Sequence, residues 1–486
     1  MVSSTTWTGT DRRAKYNIKH YYILPFFLIL NIFVIYSQSP RMTSDNLADR
    51  LHSISERISR VSIYLRTSKD IYDAGEDLWF KAYLLDSKSL MPFASDSTLY
   101  IQLIKSENDS VVWQDKYKIE NGFSQGHIYL DATHKTGDYL LVAYSPHSFY
   151  RGPDEFHALR KIKIIGTDRQ MDIDQNPKVS DDKSAAQEIQ FDVFPEGGQL
   201  ILERSNKLAY KATDFVGRPL KVKGMLLEDN IILKEFESVH DGMGYFSFVP
   251  KAGRKYQIKL EKPEYVGLYP LPEIYGNKLG LKLKANTLHN MTFDVYQSKG
   301  QKWQRVYLRA QTRGRVINIA SGILKDSLEI TLPTNDFPQG ISEVTLFNEN
   351  LEPMAERLVY LHLNRKLNIK AEVDKELYHT REKVRLKIRT TDENGEPIPA
   401  NLGISIYDRL FRVEEDSKDI LTHYHLSTQL KGRIYNPGYY FDQGNTNRDQ
   451  ALDLLLLTQG WRKYVWNENR LSDGLSFDQS IITNGA

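Results

Sequence analysis

Thr67-Ser68-Lys69-Asp70-Ile71-Tyr72-Asp73-Ala74-Gly75-Glu76-Asp77-Leu78-Trp79-Phe80-Lys81-Ala82-Tyr83 is the stretch on which the fold turns. Gly75 permits a tight reversal. After it Leu78, Phe80, Ala82 and Leu84 alternate with Trp79, Lys81 and Tyr83. Successive side chains of a strand point to opposite faces, so this period of two sets one face on a core and the other outward. The pattern returns downstream: Val61 to Asp86 lies without gaps on Leu367 to Asp392, an offset of 306 residues with six identical positions. These are Ile63/Ile369, Lys69/Lys375, Tyr72/Tyr378, Glu76/Glu382, Lys81/Lys387 and Asp86/Asp392, which reads as duplication of one strand-turn-strand unit.

Working outward, the same alternation recurs in Val384, Leu386 and Ile388, in Tyr256, Ile258 and Leu260, and in Val306, Leu308 and Ala310. Turns of matching spacing, Asp214-Phe215-Val216-Gly217-Arg218-Pro219 and Asp392-Glu393-Asn394-Gly395-Glu396-Pro397, place Asp, Gly and Pro where turn chemistry wants them. The expected class is therefore all-β, a tandem row of immunoglobulin-like or fibronectin-like antiparallel sandwiches with short helices at either end. Leu47, Leu51, Ile54 and Ile58 are spaced three or four apart and predict a helix within a lead-in over 38–60. A polar, unpatterned linker over 167–187 separates a first sandwich (61–166) from three more, at 188–285, 286–364 and 365–470, before a tail over 471–486. The leucine run Leu452 to Leu457 predicts a C-terminal helix packed on the last sandwich.

At the other end, Arg12, Arg13, Lys15 and Lys19 precede an apolar run from Tyr21 to Tyr36, the layout of a secretory signal over 1–37. The run is 16 residues, short of the roughly 20 a membrane-spanning helix needs. Export with cleavage is expected, a retained anchor being the alternative. The mature chain then carries a net charge near −1, from +2 less the +3 of the leader, so neither nucleic acid nor an anionic membrane is an expected partner. Cysteine is absent from all 486 residues, which excludes disulfides, thiolate metal sites and any internal thioester.

Catalytic motifs are weak. Gly122-Phe123-Ser124-Gln125-Gly126 fits the string of a nucleophile elbow, but His127 to Asp131 alternates as a strand where the elbow needs a helix. His423-Tyr424-His425 puts two imidazoles on one face of an extended segment, half of a metal site at best; a solvated pair is the plainer reading. Glu196 and the run Glu414-Glu415-Asp416 read as a turn residue and an exposed charge cluster. No catalytic residue, metal site or cofactor is expected. With 29 tyrosines, exposed rings are the more informative feature, and Tyr439, Tyr440 and Phe441 form the densest cluster, a candidate contact surface in a loop-like stretch.

The segment Thr67–Tyr83 resembles the strand pair that opens the second macroglobulin (MG) domain of the alpha-2-macroglobulin family. Further phrases resemble the exported macroglobulin-like region that precedes a TonB-receptor plug domain in bacterial envelope proteins. They are Phe194-Pro195-Glu196-Gly197-Gly198, Asp241 to Phe246, Gly340 to Phe347, Glu356-Arg357-Leu358, Gly432 to Phe441, and Leu454 to Gln459-Gly460-Trp461-Arg462. The resemblance implies a non-enzymatic module in the periplasm or at the outer membrane, with a protein partner such as a TonB-type receptor. Contact with the membrane would come only through that partner or an uncleaved anchor. A non-covalent endopeptidase inhibitor is the alternative, and a carbohydrate-binding or carbohydrate-degrading protein a second one. Without cysteine, the thioester trap of the family has no counterpart here.

Overall fold

The computed structural model describes residues 61–151, 158–166, 189–263, 267–411 and 418–461. The expected leader, lead-in helix, linker and tail lie outside the described residues, as does Glu414-Glu415-Asp416.

The opening segment becomes the first of three two-layer sandwiches. β1 (Val61–Thr67), β3 (Asp77–Asp86) and β6 (Phe123–Tyr129) form one sheet in the order β1-β3-β6. β2 (Ile71–Asp73), β4 (Thr98–Lys105), β5 (Ser110–Lys118), β7 (Gly137–Tyr144) and β8 (Ala158–Ile165) form the other, in the order β2-β8-β7-β4-β5. The alternating residues Leu78, Phe80, Ala82 and Leu84 meet Leu99, Ile101, Leu103, Leu141 and Ile164 in one core. Each full aliphatic burial of this kind stabilises by roughly 1.5–3 kcal/mol.

The second sandwich is built from β9 (Gln190–Pro195), β10 (Leu200–Ile201), β11 (Asn206–Thr213), β12 (Lys223–Glu228), β13 (Ile231–Glu237), β14 (Met243–Phe248), β15 (Tyr256–Lys262), β16 (Leu268–Pro270) and β17 (Ile274–Tyr275). Sheet β14-β11-β9 packs on sheet β13-β12-β15-β16 through aromatic rings, with Phe236 5.1 Å from Phe246 and 4.7 Å from Tyr210. The third comprises β18 (Leu279–Asn286), β19 (Asn290–Gln297), β20 (Gln304–Thr312), β21 (Arg315–Leu324), β22 (Ser327–Pro333), β23 (Gly340–Phe347) and β24 (Pro353–Leu361). Its sheets are β18-β19-β22 and β21-β20-β23-β24. The join expected near 286 falls one strand too late: Leu279 to Asn286 pairs antiparallel with β19, and Thr287–His289 is a hairpin turn rather than a boundary.

Beyond 365 the structure differs from the expected fourth sandwich. Among the described residues this region holds one two-stranded hairpin, β25 (Asn368–Val373) with β26 (Leu386–Thr391), and no facing sheet. The duplication is nonetheless literal. β25 and β26 pair in the register of β1 and β3, Ile63↔Leu84 becoming Ile369↔Thr390 and Thr67↔Phe80 becoming Val373↔Leu386. The turn repeats atom by atom, the Lys69 amide donating to the Tyr72 hydroxyl at 3.0 Å and the Lys375 amide to the Tyr378 hydroxyl at 3.0 Å. Lys69 pairs with Glu76 as Lys375 does with Glu382. The two Asp-Gly-Pro turns also match: Asp214 accepts the Arg218 amide at 2.9 Å and Asp392 the Glu396 amide at 2.9 Å.

The chain then forms a helical turn (Ile420–Thr422) running into a π-helical turn (His423–Ser427), a 3-10 turn (Pro437–Tyr440) and α1 (Arg448–Thr458). Leu452 and Leu454 to Leu457 are all buried, as suits a helix enclosed on most sides. α1 packs not on a fourth sandwich but on β11 and β14 of the second and β24 of the third. None of the described helices is long and apolar enough to cross a membrane.

Candidate functional site

The phrases singled out in the sequence converge where this C-terminal segment meets the sandwiches. At the centre is Arg357, on β24 and fully enclosed. Its Nε donates to Glu196 Oε1 at 2.9 Å, its Nη2 to Asp453 Oδ1 at 2.6 Å and its Nη1 to the Leu358 carbonyl at 2.7 Å. One guanidinium thus joins the end of β9, β24 and α1. Burial opposes its charge, but Asp453 and Glu196 together outweigh that and hold its proton more tightly than usual. Glu196 Oε1 also accepts the Leu283 amide at 3.0 Å, and Lys207 Nζ stands 3.6 Å from Oε2.

The backbone explains the glycines around Glu196. Gly197 has φ +80°, and a Cβ there would lie 2.6 Å from the Leu281 carbonyl oxygen. Trp461 closes the joint, donating from Nε1 to the Pro195 carbonyl at 2.9 Å with its ring 5.8 Å from Phe194. Gln459 Nε2 donates to the Lys431 and Arg433 carbonyls at 3.0 and 3.1 Å. The crevice between Glu196, Arg357, Leu456 and Trp461 has room at its centre for about one water molecule, ≈ 10 Å³. The arrangement can hold domains; it offers no cavity for a substrate.

Tyr439, Tyr440 and Phe441 are part of this joint and do not form an outward-facing patch. Tyr440 is 1% exposed and Phe441 is buried. Tyr439 stacks on His240 at 4.2 Å, and Phe441 meets Tyr360 edge-on at 5.8 Å. The rings lie beside Pro437 in a 3-10 turn that aims them at β14 and β24, a contact no local pattern discloses. Thr458 Oγ1 donates to Met243 Sδ at 3.0 Å, fixing the end of α1 to the same strand β14.

His423 and His425 are neither extended nor solvated. Two residues apart on a helical turn, they point to different sides. His423 packs 5.4 Å from the Tyr64 ring, while His425 Nδ1 lies 3.1 Å from Arg313 Nη2. Burial pushes both imidazoles down to about 4, with Lys418 and Arg313 acting in the same direction. Between them Tyr424 reaches the first sandwich, donating to the Tyr83 carbonyl at 2.8 Å and lying 3.2 Å from that of Ser62. Among the described residues no group of three His, Asp or Glu is placed to hold a metal ion. Ser124 lies within β6, paired with Ala82, and its buried Oγ has no hydrogen-bond partner.

Sequence reasoning missed Arg357, Asp453, Tyr424 and Trp461 as joint-forming residues. For Arg357 and Trp461 the available signal was the phrases holding them, Glu356-Arg357-Leu358 and Leu454 to Arg462; Asp453 and Tyr424 lie outside those phrases.

No protein-family model matches the sequence, and no curated protein matches it. Among solved structures the chain is similar to Escherichia coli alpha-2-macroglobulin activated by porcine elastase, at 14% identity over 70% of this chain and 34% of that one, TM-score 0.25. It is also similar to a Salmonella alpha-2-macroglobulin mutant, at 13% identity over 68% of this chain and 25% of that one, TM-score 0.19. Fibronectin(III)-like modules of Clostridium thermocellum CbhA match at 11% identity over 44% of this chain and 92% of theirs, TM-score 0.15. The chain spans about a quarter to a third of the length of the alpha-2-macroglobulins it matches. It is a mostly β protein of small, predominantly antiparallel sheets, partly similar in structure to bacterial alpha-2-macroglobulins.

Proposed function

We propose that this protein is a non-enzymatic, exported binding or assembly module of the bacterial cell envelope, working beside a TonB-type outer-membrane receptor. The observation that carries the reading is the joint around Arg357, where the charged and aromatic groups of the recurring phrases are consumed in holding sandwiches together. Removing one partner of such a buried pair leaves an enclosed, uncompensated charge, so the three elements it joins are held in one arrangement. A body whose modules are fixed presents its outer surfaces in constant relative positions, as an assembly platform requires. The place beside a receptor rests on the resemblance of the terminal phrases.

Crosslinking the native protein in intact cells tests this. Recovery of a defined envelope partner is the expected result, and recovery solely as a free monomer would overturn it.

A further inference from the structure

The chain contains the same hairpin in two states of completion. In the first, β1 and β3 lie under the five-stranded sheet, and Ile63 and Phe80 are each 5% exposed. The outer edge of β3 is taken by β6, antiparallel over seven residues from Asp77↔Tyr129 to Tyr83↔Phe123. In the second copy the residues at the same positions, Ile369 and Leu386, are 57% and 41% exposed, and Val373 and Val384 are likewise open. Among the described residues no strand pairs with the outer edge of β26 over 386–389; only its end is met, Thr391 bridging to Pro397 and the Ile398 amide donating to the Thr390 carbonyl at 3.2 Å. An apolar face beside a free strand edge is a template for another strand.

The opposite face indicates what that strand must carry. Lys370, Lys387 and Arg389 surround the single carboxylate Glu372 and line a shallow pocket of ≈ 180 Å³ with it. Glu372 is engaged by Lys370 at 2.6 Å, and its cross-strand neighbour Lys387 and Arg389 act on the same carboxylate, so three cations share one anion. In an antiparallel pairing, residues opposite Lys387 and Arg389 lie on the charged face and those opposite Leu386 and Ile388 on the apolar one.

We propose that the β25–β26 hairpin accepts an antiparallel β-strand from a protein partner, opposite residues 383–389, with apolar residues at alternate positions and acidic residues between them. The acceptor is completed in trans by what β6 supplies within the first sandwich. This deepens the reading of the chain as a binding module and rests on it.

The test titrates the full chain into a fluorescein-labelled nine-residue peptide alternating valine with glutamate, beside a peptide of the same composition in blocked order. Amide hydrogen exchange is followed with and without peptide. Expected are saturable binding at least tenfold tighter for the alternating peptide and slowed exchange within 384–391. A tenfold or greater loss is expected in Lys387→Glu/Arg389→Glu and in Leu386→Asp, all surface changes. Equal binding of both peptides, protection elsewhere, slow exchange without peptide at the β26 amides that face away from β25, or a dimer by light scattering that Leu386→Asp dissolves would each overturn it. If the unmodified chain fails to bind the peptide and Leu386→Asp leaves the crosslinked envelope partner in place, this inference falls and the proposed function stands.

Discussion

Replacing Arg357 by Met removes the cation at the centre of the joint while roughly keeping its volume. Glu196 is left enclosed, with the Leu283 amide at 3.0 Å and Lys207 at 3.6 Å as its remaining support. Asp453 is a third exposed and can be hydrated once its partner is gone. The loss is therefore dominated by Glu196, and breaking one side of a buried pair costs about 3–5 kcal/mol. For the second and third sandwiches with α1 melting together, well over 150 residues, each kcal/mol moves Tm by about 2–4 °C, so a fall of about 6–20 °C is expected. Glu196→Gln/Arg357→Met removes the stranded charge and should recover more than half of that. Calorimetry and urea titration on both variants, with hydrogen exchange across α1, measure the effect. A loss below about 1 kcal/mol, or a double variant no more stable than the single one, would refute the assignment of Arg357 as the keystone of the joint.

Other consequences are open to the same assays. His423 and His425 are held neutral when folded, with values near 4 against about 6.5 unfolded. The unfolded chain thus binds more protons between these limits, and stability should fall as pH drops from 6.5 to 4 and level off below, by at most about 3 kcal/mol per histidine; His425→Leu should flatten part of that slope in urea midpoints. Gly197→Ala meets both a left-handed backbone and the Leu281 carbonyl, and should cost at least about 1–2 kcal/mol by thermal melting. Tyr424→Phe removes the hydroxyl bond to the Tyr83 carbonyl, at about 0.5–1.5 kcal/mol, and should speed proteolytic release of the first sandwich. Tyr440→Ala empties a fully buried ring site and should cost about 3–5 kcal/mol, far more than truncation of a surface contact residue.

The sandwiches were legible because alternation is local: Leu78, Phe80, Ala82 and Leu84 declare their face without knowledge of what covers it. The repeat was legible for the same reason, since Lys69, Tyr72 and Glu76 bond within one turn, as do Lys375, Tyr378 and Glu382. The joint was not, because Arg357 meets Glu196 across 161 residues and Asp453 across 96, and no periodicity encodes a contact of that span. The same applies to Tyr439, Tyr440 and Phe441, whose loop-like composition suggested exposure while His240, in the turn before β14, and Tyr360, on β24, supplied distant partners. His423 and His425 were misplaced by a backbone choice: extended chain puts them on one face, and the π-helical turn separates them.

The paired hairpins separate what a strand sequence dictates from what its surroundings dictate. Register and turn bonding are alike at β1–β3 and β25–β26, so these belong to the local sequence. Burial is not shared, so it belongs to the covering sheet. The second copy differs from the first on the face away from the sandwich core as well: Trp79 becomes Arg385, Lys81 stays basic as Lys387, and Tyr83, buried against Tyr424, becomes Arg389. Two rings have given way to two guanidinium groups along the strand edge. A hairpin meant only to remain solvated has no need of an intact apolar face, and one meant for an intramolecular core has no need of added cations. Retention of the first with gain of the second is the combination expected of an edge that recognises an acidic, alternating strand.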